Sequence, residues 1–198
     1  MKIIGTVFFS FFALNIFAQT GYNVGDKVKN FTANNVTSQK KVSLTEYSED
    51  KGIVIVFTSQ ECPYSKLYEE RIIRLANEFE INKVKFILIN PNNPAACPSD
   101  GINEMAVRAK EMAYNFPYLP DKNFEISNAF GVTKTPEVFV LKNINKSFVL
   151  FYKGAIDDNP QVPKDVHYHY LRDALLALVQ DNALKVSEKR AIGCIVKR

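Results

Sequence analysis

Two runs of consecutive apolar, largely β-branched residues limit most strongly how this chain can fold. The first spans residues 52–58 (Gly-Ile-Val-Ile-Val-Phe-Thr), and the second spans residues 84–90 (Val-Lys-Phe-Ile-Leu-Ile-Asn). Such runs are typical of strands that are buried on both faces of a sheet. Between them, residues 63–80 carry apolar side chains at helical spacing, and Pro63 suits the first helical turn. This order predicts neighbouring parallel strands that are covered by a helix.

The remaining pattern extends this architecture. The other predicted elements are a short strand at 42–44, helices at about 100–114, 124–130 and about 164–179, and strands at 137–141 and 147–152. The last two strands surround a turn and are predicted to form a hairpin. We therefore predict an α/β fold, a three-layer sandwich in which a central mixed β-sheet has helices on both faces.

The N-terminus has the composition of a secretory signal. Lys2 is followed by a largely apolar stretch, residues 3–17, and then by Ala18 as a small residue for cleavage. That stretch has 15 residues, whereas a membrane-spanning helix needs about 20. We predict a bacterial-type signal peptide at 1–18 and one domain at 19–198, with a tail from about 181. The alternative is an uncleaved anchor. No cysteine comes directly after the apolar stretch, so a lipoprotein is not predicted. The mature protein is expected to be periplasmic or secreted.

Composition and motifs exclude several other classes of protein. The net charge is only +4 and no dense basic block is present, so no nucleic-acid partner is predicted. The sequence contains no phosphate-binding loop, dinucleotide fingerprint, haem-attachment motif or zinc spacing. His167 and His169 lack a nearby third ligand. We therefore predict no cofactor, no metal and, after signal cleavage, no membrane span.

Three cysteines, Cys62, Cys97 and Cys194, lie in the predicted mature chain. Outside the cytoplasm disulfides can persist, and an odd number leaves at least one thiol free or paired with another molecule. Three cysteines are too few for a disulfide scaffold, so the apolar core must hold the fold.

Cys62 lies between the first buried strand and the helix that begins at Pro63. Helix N-termini carry free N–H groups and a partial positive charge, so we expect a lowered pKa for this thiol. Ser59 and Ser65 are nearby hydroxyls that can donate hydrogen bonds to the sulfur. The alternative is an inert, buried cysteine, but Cys62 follows Gln60 and Glu61 rather than lying inside an apolar run.

The segment Cys62-Pro63-Tyr64-Ser65, together with Thr135-Pro136 before a later strand, resembles the thioredoxin superfamily. Four segments are similar to its AhpC/TSA-type redoxin branch, which is peroxiredoxin-like: residues 57–66, 116–121, 154–159 and 191–194. The resemblance implies a thioredoxin-like sandwich. It also implies a cis bond between Thr135 and Pro136 and an extended substrate strand against the backbone of Thr135.

The sequence departs from the family pattern at two points. Many relatives carry a second cysteine at position 59, and dithiol thioredoxins carry one at position 65. Here both positions are serine, so Cys62 cannot close a local disulfide. Ser59 fits the Thr/Ser position of peroxiredoxins, but Ile55 stands where they have proline. Candidate resolving cysteines are therefore Cys97, at the same sheet edge as Cys62, and Cys194. Cys97 can equally be a solvent-facing loop thiol, and for Cys194 we favour packing of an apolar tail.

These observations together predict an exported thiol-based redox enzyme. The predicted activity is thiol–disulfide exchange through Cys62, with Ser59, Ser65, Thr135 and Pro136 completing the site. Its partners would be a protein or small-molecule disulfide or peroxide as substrate and an external thiol as reductant. The alternatives are a thiol peroxidase and a non-catalytic binding or adaptor module of the same fold.

Overall fold

The computed structural model describes residues 21–198, and this part of the chain contains ten strands and four α-helices. The predicted signal peptide, residues 1–18, lies outside the described residues. The strands are β1 (Thr32–Asn34), β2 (Lys41–Ser43), β3 (Gly52–Phe57), β4 (Val84–Asn90), β5 (Tyr118–Pro120), β6 (Lys134–Thr135), β7 (Glu137–Ile144), β8 (Ser147–Gly154), β9 (Glu188–Lys189) and β10 (Cys194–Ile195). The helices are α1 (Pro63–Glu80), α2 (Ile102–Glu111), α3 (Glu125–Phe130) and α4 (Tyr170–Val179).

Six strands form the central sheet in the order β5-β4-β3-β7-β8-β9. The pairs β3–β4 and β4–β5 are parallel, whereas β7 runs antiparallel to both β3 and β8. All six residues of β3 are buried, as expected for a central strand. The sheet is therefore mixed, as predicted.

Alternate side chains of β3 enter two separate apolar cores. Val54 and Val56 pack on one face of the sheet with α1, α2 and α4. Ile53, Ile55 and Phe57 pack on the other face with α3 and the N-terminal segment. Because successive strand residues point to opposite faces, this continuous apolar run fills both cores and produces the three-layer sandwich with helices on both faces.

Two additional pairs of short strands lie outside the central sheet. Strand β1 pairs with β2, and β6 pairs with β10 near the C-terminus, both antiparallel. In the second pair, Cys194 lies opposite Thr135 and Ile195 lies opposite Lys134. The segment predicted as a polar tail is thus attached to the body of the fold. Within residues 21–198, no helix is long and apolar enough to cross a membrane.

The last helix begins later than the sequence pattern predicted. A short 3₁₀ turn, Pro163–Asp165, is followed by non-helical residues, and α4 starts at Tyr170 instead of about residue 164. The carboxylate of Asp158 accepts hydrogen bonds from the N–H groups of His167 (3.0 Å) and Tyr168 (3.1 Å). These bonds hold the segment in a non-helical conformation. Helix α2 also ends earlier than predicted, at Glu111.

A buried ion pair holds the segment between β8 and α4 against α1. Arg71 on α1 donates to a carboxylate oxygen of Asp157 at 2.7 Å, and the hydroxyl of Tyr68 donates to the other oxygen at 2.7 Å. The Arg71 guanidinium also donates to the carbonyl oxygens of Asn159 and Pro160. Asp157 and Asp158 therefore organise this loop through separate sets of hydrogen bonds.

Candidate redox site

Cys62 is the residue that immediately precedes α1, at the carboxyl edge of the central sheet. Strand β3 ends at Phe57, a short loop follows, and Pro63 is the first residue of the helix. Cys62 adopts an extended backbone conformation, and its carbonyl accepts the N–H of Lys66 at 3.2 Å. Its side chain is 1% exposed. The predicted position at a helix N-terminus is therefore correct.

Cys62 forms a disulfide with Cys194, and the two Cα atoms lie 5.7 Å apart. That separation lies within the usual range for disulfides. The sulfur of Cys62 also lies 3.0 Å from the carbonyl oxygen of Thr135, the residue that pairs with Cys194 between β6 and β10. Of the two candidate resolving cysteines, the structure thus joins Cys194 to Cys62. The preference for simple packing of the tail at Cys194 was wrong.

The peptide bond between Thr135 and Pro136 is cis, as the family resemblance implied. Thr135 is 1% exposed, and its hydroxyl is buried without a hydrogen-bond partner within the described residues. A Cβ atom at Gly193 would clash with the carbonyl group of Thr135 and would lie 3.1 Å from the nitrogen of Pro136. Only glycine therefore allows the tail to lie this close to the cis bond.

The tail reaches this site along the far edge of the central sheet. Strand β9 pairs parallel with the end of β8, where Gly154 lies opposite Lys189. A Cβ atom at Gly154 would overlap the carbonyl of Lys189, and the φ of Gly154 is +122°, which favours glycine. Beyond β10, the N–H of Val196 donates to the carbonyl of Thr133 at 3.1 Å. Close backbone contact thus positions the tail on both sides of Cys194.

Ser59 and Ser65 stabilise the loop before Cys62, and within residues 21–198 neither hydroxyl donates a hydrogen bond to the Cys62 sulfur. The Ser59 hydroxyl donates to a carboxylate oxygen of Asp100 at 2.7 Å. The Ser65 hydroxyl accepts the backbone N–H of Ser59 at 3.3 Å. Asp100 also accepts the N–H of Gln60 at 2.7 Å. Ser59 takes a partner that is distant in sequence because the loop before α2 packs directly beside the Cys62 loop.

Cys97 is free and 1% exposed, so it is neither the predicted solvent-facing thiol nor the partner of Cys62. It lies in the loop before α2, where its N–H donates to Asn93 and its carbonyl accepts the N–H of Asp100. Burial raises the pKa of Cys97, and the nearby Asp100 carboxylate adds to this effect. This loop folds inward against Asp100 instead of extending into solvent, which is why the thiol is buried.

Two polar residues of the site, Asp100 and Asn92, were missed by the sequence analysis. Asn92 donates from its amide nitrogen to Asp100 at 2.8 Å and to the Ser59 hydroxyl at 3.0 Å. Both residues lie in a Pro/Asn-rich segment that resembles an ordinary surface loop, and no local pattern marks them. Among residues 21–198, no group of three or more His, Cys, Asp or Glu side chains is arranged to hold a metal ion.

The mouth of the site carries charges of both signs. Glu61 is exposed and accepts hydrogen bonds from the hydroxyl (2.8 Å) and N–H (3.3 Å) of Ser99. These hydrogen bonds lower the pKa of Glu61, and the positive charges of Lys197 and Lys66 lower it further. The bond between Glu61 and Ser99 also ties the Cys62 loop to the loop before α2.

Comparison with known structures identifies the type of fold. An uncharacterised conserved protein from Geobacillus kaustophilus is 30% identical, with a TM-score of 0.82 over 89% of this chain and 92% of that chain. A peroxidoxin from Mycobacterium tuberculosis is 17% identical, with a TM-score of 0.59 over 80% of this chain and 96% of that one. A putative thiol:disulfide interchange protein from Chlorobium tepidum is 14% identical, with a TM-score of 0.57 over 79% and 98%. The last two similarities concern the fold alone, which is thioredoxin-like.

Comparison with sequence families gives the same assignment. No curated protein matches this sequence significantly. The model of the AhpC/TSA family matches residues 24–158, a region that contains Cys62 and the cis bond before Pro136. The segment that carries Cys194 lies beyond this match. The chain therefore belongs to the AhpC/TSA family of thioredoxin-like redox proteins.

Proposed function

We propose that this protein is a thiol–disulfide oxidoreductase in which Cys62 is the attacking thiol and Cys194 is the resolving thiol. One observation carries the proposal. Cys194 lies on an extended strand opposite Thr135, and its sulfur is bonded to that of Cys62. The site thus holds an extended, cysteine-bearing segment in a register that allows a disulfide to Cys62. A substrate segment of the same kind can bind there when the tail is displaced.

The proposed reaction begins with both cysteines reduced. The Cys62 thiolate attacks one sulfur of a substrate disulfide, so that a mixed disulfide forms and the other substrate sulfur leaves as a thiolate. The Cys194 thiolate then attacks the Cys62 sulfur, which forms the Cys62–Cys194 disulfide and releases the second substrate thiol. An external thiol reductant returns two electrons and restores both thiols.

We assign a separate role to each part of the site. The N-terminus of the 18-residue helix α1 favours the thiolate form of Cys62. The backbone of Lys134 and Thr135 forms the edge along which the cysteine-bearing strand lies, and Pro136 would shape the groove beside it. Ser59 and Ser65 hold the Cys62 loop through their hydrogen bonds. Because no thiol lies at position 59 or 65, resolution depends on Cys194.

Peroxide reduction is the second candidate, and membership of the AhpC/TSA family favours it. In that reaction Cys62 would cleave the O–O bond and become a sulfenic acid, with an alcohol or water as the first product. Cys194 would then form the same disulfide and release water. The Ser59 hydroxyl, which by resemblance occupies the peroxiredoxin Thr/Ser position, donates its proton to Asp100 and would have to release that carboxylate in order to donate to a peroxide. We therefore rank disulfide exchange first.

We further propose that the protein acts outside the cytoplasm, in the periplasm or after secretion. Two features support this proposal: the signal-like composition of residues 1–18, and an internal disulfide that an oxidising compartment would preserve. Mass spectrometry of the protein from fractionated cells tests it directly. A mature N-terminus at residue 19 in the extracytoplasmic fraction supports export, and an intact leader in the cytoplasmic fraction contradicts it.

The activity itself is tested with the fully reduced protein under single-turnover conditions. The chain has no tryptophan, so samples are acid-quenched and analysed by mass after reaction with a peptide disulfide or with hydrogen peroxide. We expect the disulfide to react faster with the protein than with a free thiol, and Cys62→Ser to abolish the reaction. A fast reaction with peroxide alone would favour the peroxidase. A Cys62→Ser variant that retains the biological phenotype would favour the binding module.

A further inference from the structure

The backbone of Lys197 is held at both of its polar groups by two consecutive asparagines. The N–H of Lys197 donates to the side-chain oxygen of Asn92 at 2.9 Å, and the N–H of Asn93 donates to the carbonyl of Lys197 at 2.8 Å. The side chain of Lys197 is exposed. These contacts therefore fix the path of the tail three residues beyond Cys194 and do not depend on the identity of the side chain at 197.

Asn92 is itself fixed, because its backbone N–H and both polar atoms of its side chain have partners. It is 8% exposed, and its own N–H donates to the side-chain oxygen of Asn90 at 3.0 Å. Its amide nitrogen donates to Asp100 and to Ser59, while its amide oxygen accepts the N–H of Lys197. One rigid amide thus connects the tail to the carboxylate that also holds the loop before Cys62.

The opposite side of the tail is held by Val132 and Thr133, which directly precede strand β6. The N–H of Val196 donates to the carbonyl of Thr133 at 3.1 Å, and the guanidinium of Arg198 donates to the carbonyl of Val132 at 3.1 Å. The segment that follows Cys194 is therefore hydrogen-bonded on both sides. One side is the edge formed by residues 132–135, and the other side is formed by Asn92 and Asn93.

We propose that Asn92 and Asn93 are positioning residues that hold the tail so that Cys194 is placed on Cys62 for the resolution step. This inference rests on the proposed function only in taking Cys194 as the resolving thiol. The two asparagines raise the effective concentration of Cys194 at Cys62, because they hold the segment after Cys194 from the side opposite the edge at 132–135. Without them, the tail is restrained by the edge at 132–135, by the contacts near Gly154 and by the packing of Ala191 and Val196.

The proposal is tested by the redox equilibrium with glutathione. Reduced protein and one glutathione disulfide exchange to give the Cys62–Cys194 disulfide and two reduced glutathiones, so the equilibrium constant measures how well Cys194 is placed. Lys197→Pro removes the N–H that Asn92 accepts, and it favours an extended conformation at Val196, which already pairs with Thr133. Lys197→Ala is the matched control, because it keeps that N–H.

We expect the equilibrium constant for Lys197→Pro to fall by about five-fold or more, as the loss of one hydrogen bond of usual net strength implies. Deletion of residues 197–198 removes both contacts at Lys197 and also the Arg198 contact with Val132, so Arg198→Ala is its control. Relative to that control, the deletion should lower the constant by about 25-fold or more on the same basis. Lys197→Ala should match the unaltered protein. Asn92→Ala should act in the same direction as the deletion, with exposed Asn115→Ala as its control.

Equal equilibrium constants for Lys197→Pro, the deletion and Lys197→Ala would overturn the proposal. Thermal unfolding of each variant in the reduced state shows whether the body of the fold is intact. The shifted equilibria of Lys197→Pro and the deletion support the inference even if no disulfide substrate is turned over, because glutathione exchange needs no specific substrate. Failure of the proposed function and failure of the positioning role of Asn92 and Asn93 are therefore separate results.

Discussion

Cys194 lies directly opposite Thr135 in the antiparallel pairing of β10 with β6, and the same cysteine is bonded to Cys62. In the family resemblance, the backbone around Thr135 is the edge that receives an extended substrate strand. The tail of this chain therefore occupies the position that we assign to its substrate. Because both cannot pair with Thr135 at once, the proposed function requires the tail to leave before a substrate binds and to return to resolve the mixed disulfide.

Gly193→Ala should weaken this docking, because a Cβ atom there clashes with the carbonyl of Thr135, which is backbone and cannot easily move. We expect the equilibrium constant for forming the Cys62–Cys194 disulfide with glutathione to fall by about ten-fold or more, which equals about 1.4 kcal/mol. Ile192→Ala, one residue away and exposed, is the control. Unchanged disulfide formation in Gly193→Ala would mean that docking of the tail does not depend on the close approach of residue 193 to the carbonyl of Thr135.

Cys97→Ala should leave the redox couple unchanged, because the Cys97 thiol is free and buried and burial raises its pKa. The expected cost in unfolding free energy is on the order of 1 kcal/mol for the lost sulfur contacts. Non-reducing peptide mapping checks the disulfide, and a thiol reagent at neutral pH should label Cys97 only after unfolding. Rapid labelling of Cys97 in the native protein, or loss of the Cys62–Cys194 disulfide in Cys97→Ala, would contradict this.

Asp157→Ala should strongly destabilise the fold, because it leaves the buried guanidinium of Arg71 without its carboxylate partner. The expected loss of unfolding free energy is about 3–5 kcal/mol, measured by denaturant titration. Glu49→Ala breaks an ion pair with Lys146 in which both side chains are largely exposed, and it should cause no measurable change. Similar losses of unfolding free energy for the two variants would show that burial of the Arg71–Asp157 pair does not determine its contribution to stability.

Part of this architecture could be predicted from sequence because it depends on local patterns. The apolar run of β3, the helical spacing of α1 and the hairpin of β7 and β8 are each contained in a short stretch. In that hairpin, Asn145 and Lys146 form the turn with φ values of 52° and 64°, as a tight two-residue connection requires. The placement of Cys62 followed from the first two elements.

The rest of the site depends on contacts between residues that are distant in sequence. Strands β6 and β10 have two residues each, too few to show an alternating pattern. The Ser59 hydroxyl has a sulfur close by in sequence but donates to Asp100 instead. Sequence therefore indicated that Cys97 and Cys194 were candidates to resolve Cys62, whereas only the path of the tail shows which of them lies beside it.

Glu137, immediately after the cis bond, should make stability depend on pH. Burial raises the pKa of this carboxyl, although hydrogen bonds from the backbone at Thr133 and Lys134 partly oppose the shift. Between the unfolded value of about 4.3 and the raised value, the folded protein binds more protons, so its stability falls as pH rises through this window. In Glu137→Gln this contribution is absent.

The difference in unfolding free energy between Glu137→Gln and the unaltered protein should therefore grow in favour of the variant as pH rises above about 4.3. It should level off above the raised pKa. Denaturant titrations at several pH values measure the difference, and Glu70→Gln, exposed on α1, controls for the lost charge. A difference that stays constant with pH would show that Glu137 is not the group responsible.

The central claim is that Cys194 resolves the mixed disulfide that Cys62 forms. The most direct measurement is mass spectrometry of the products after reduced Cys194→Ser reacts once with a peptide disulfide, compared with the unaltered protein. We predict that Cys194→Ser accumulates a covalent peptide adduct on Cys62, whereas the unaltered protein releases both peptide thiols and ends with the Cys62–Cys194 disulfide. Release of both thiols by Cys194→Ser at the unaltered rate, or an adduct on Cys97 instead of Cys62, would contradict the claim.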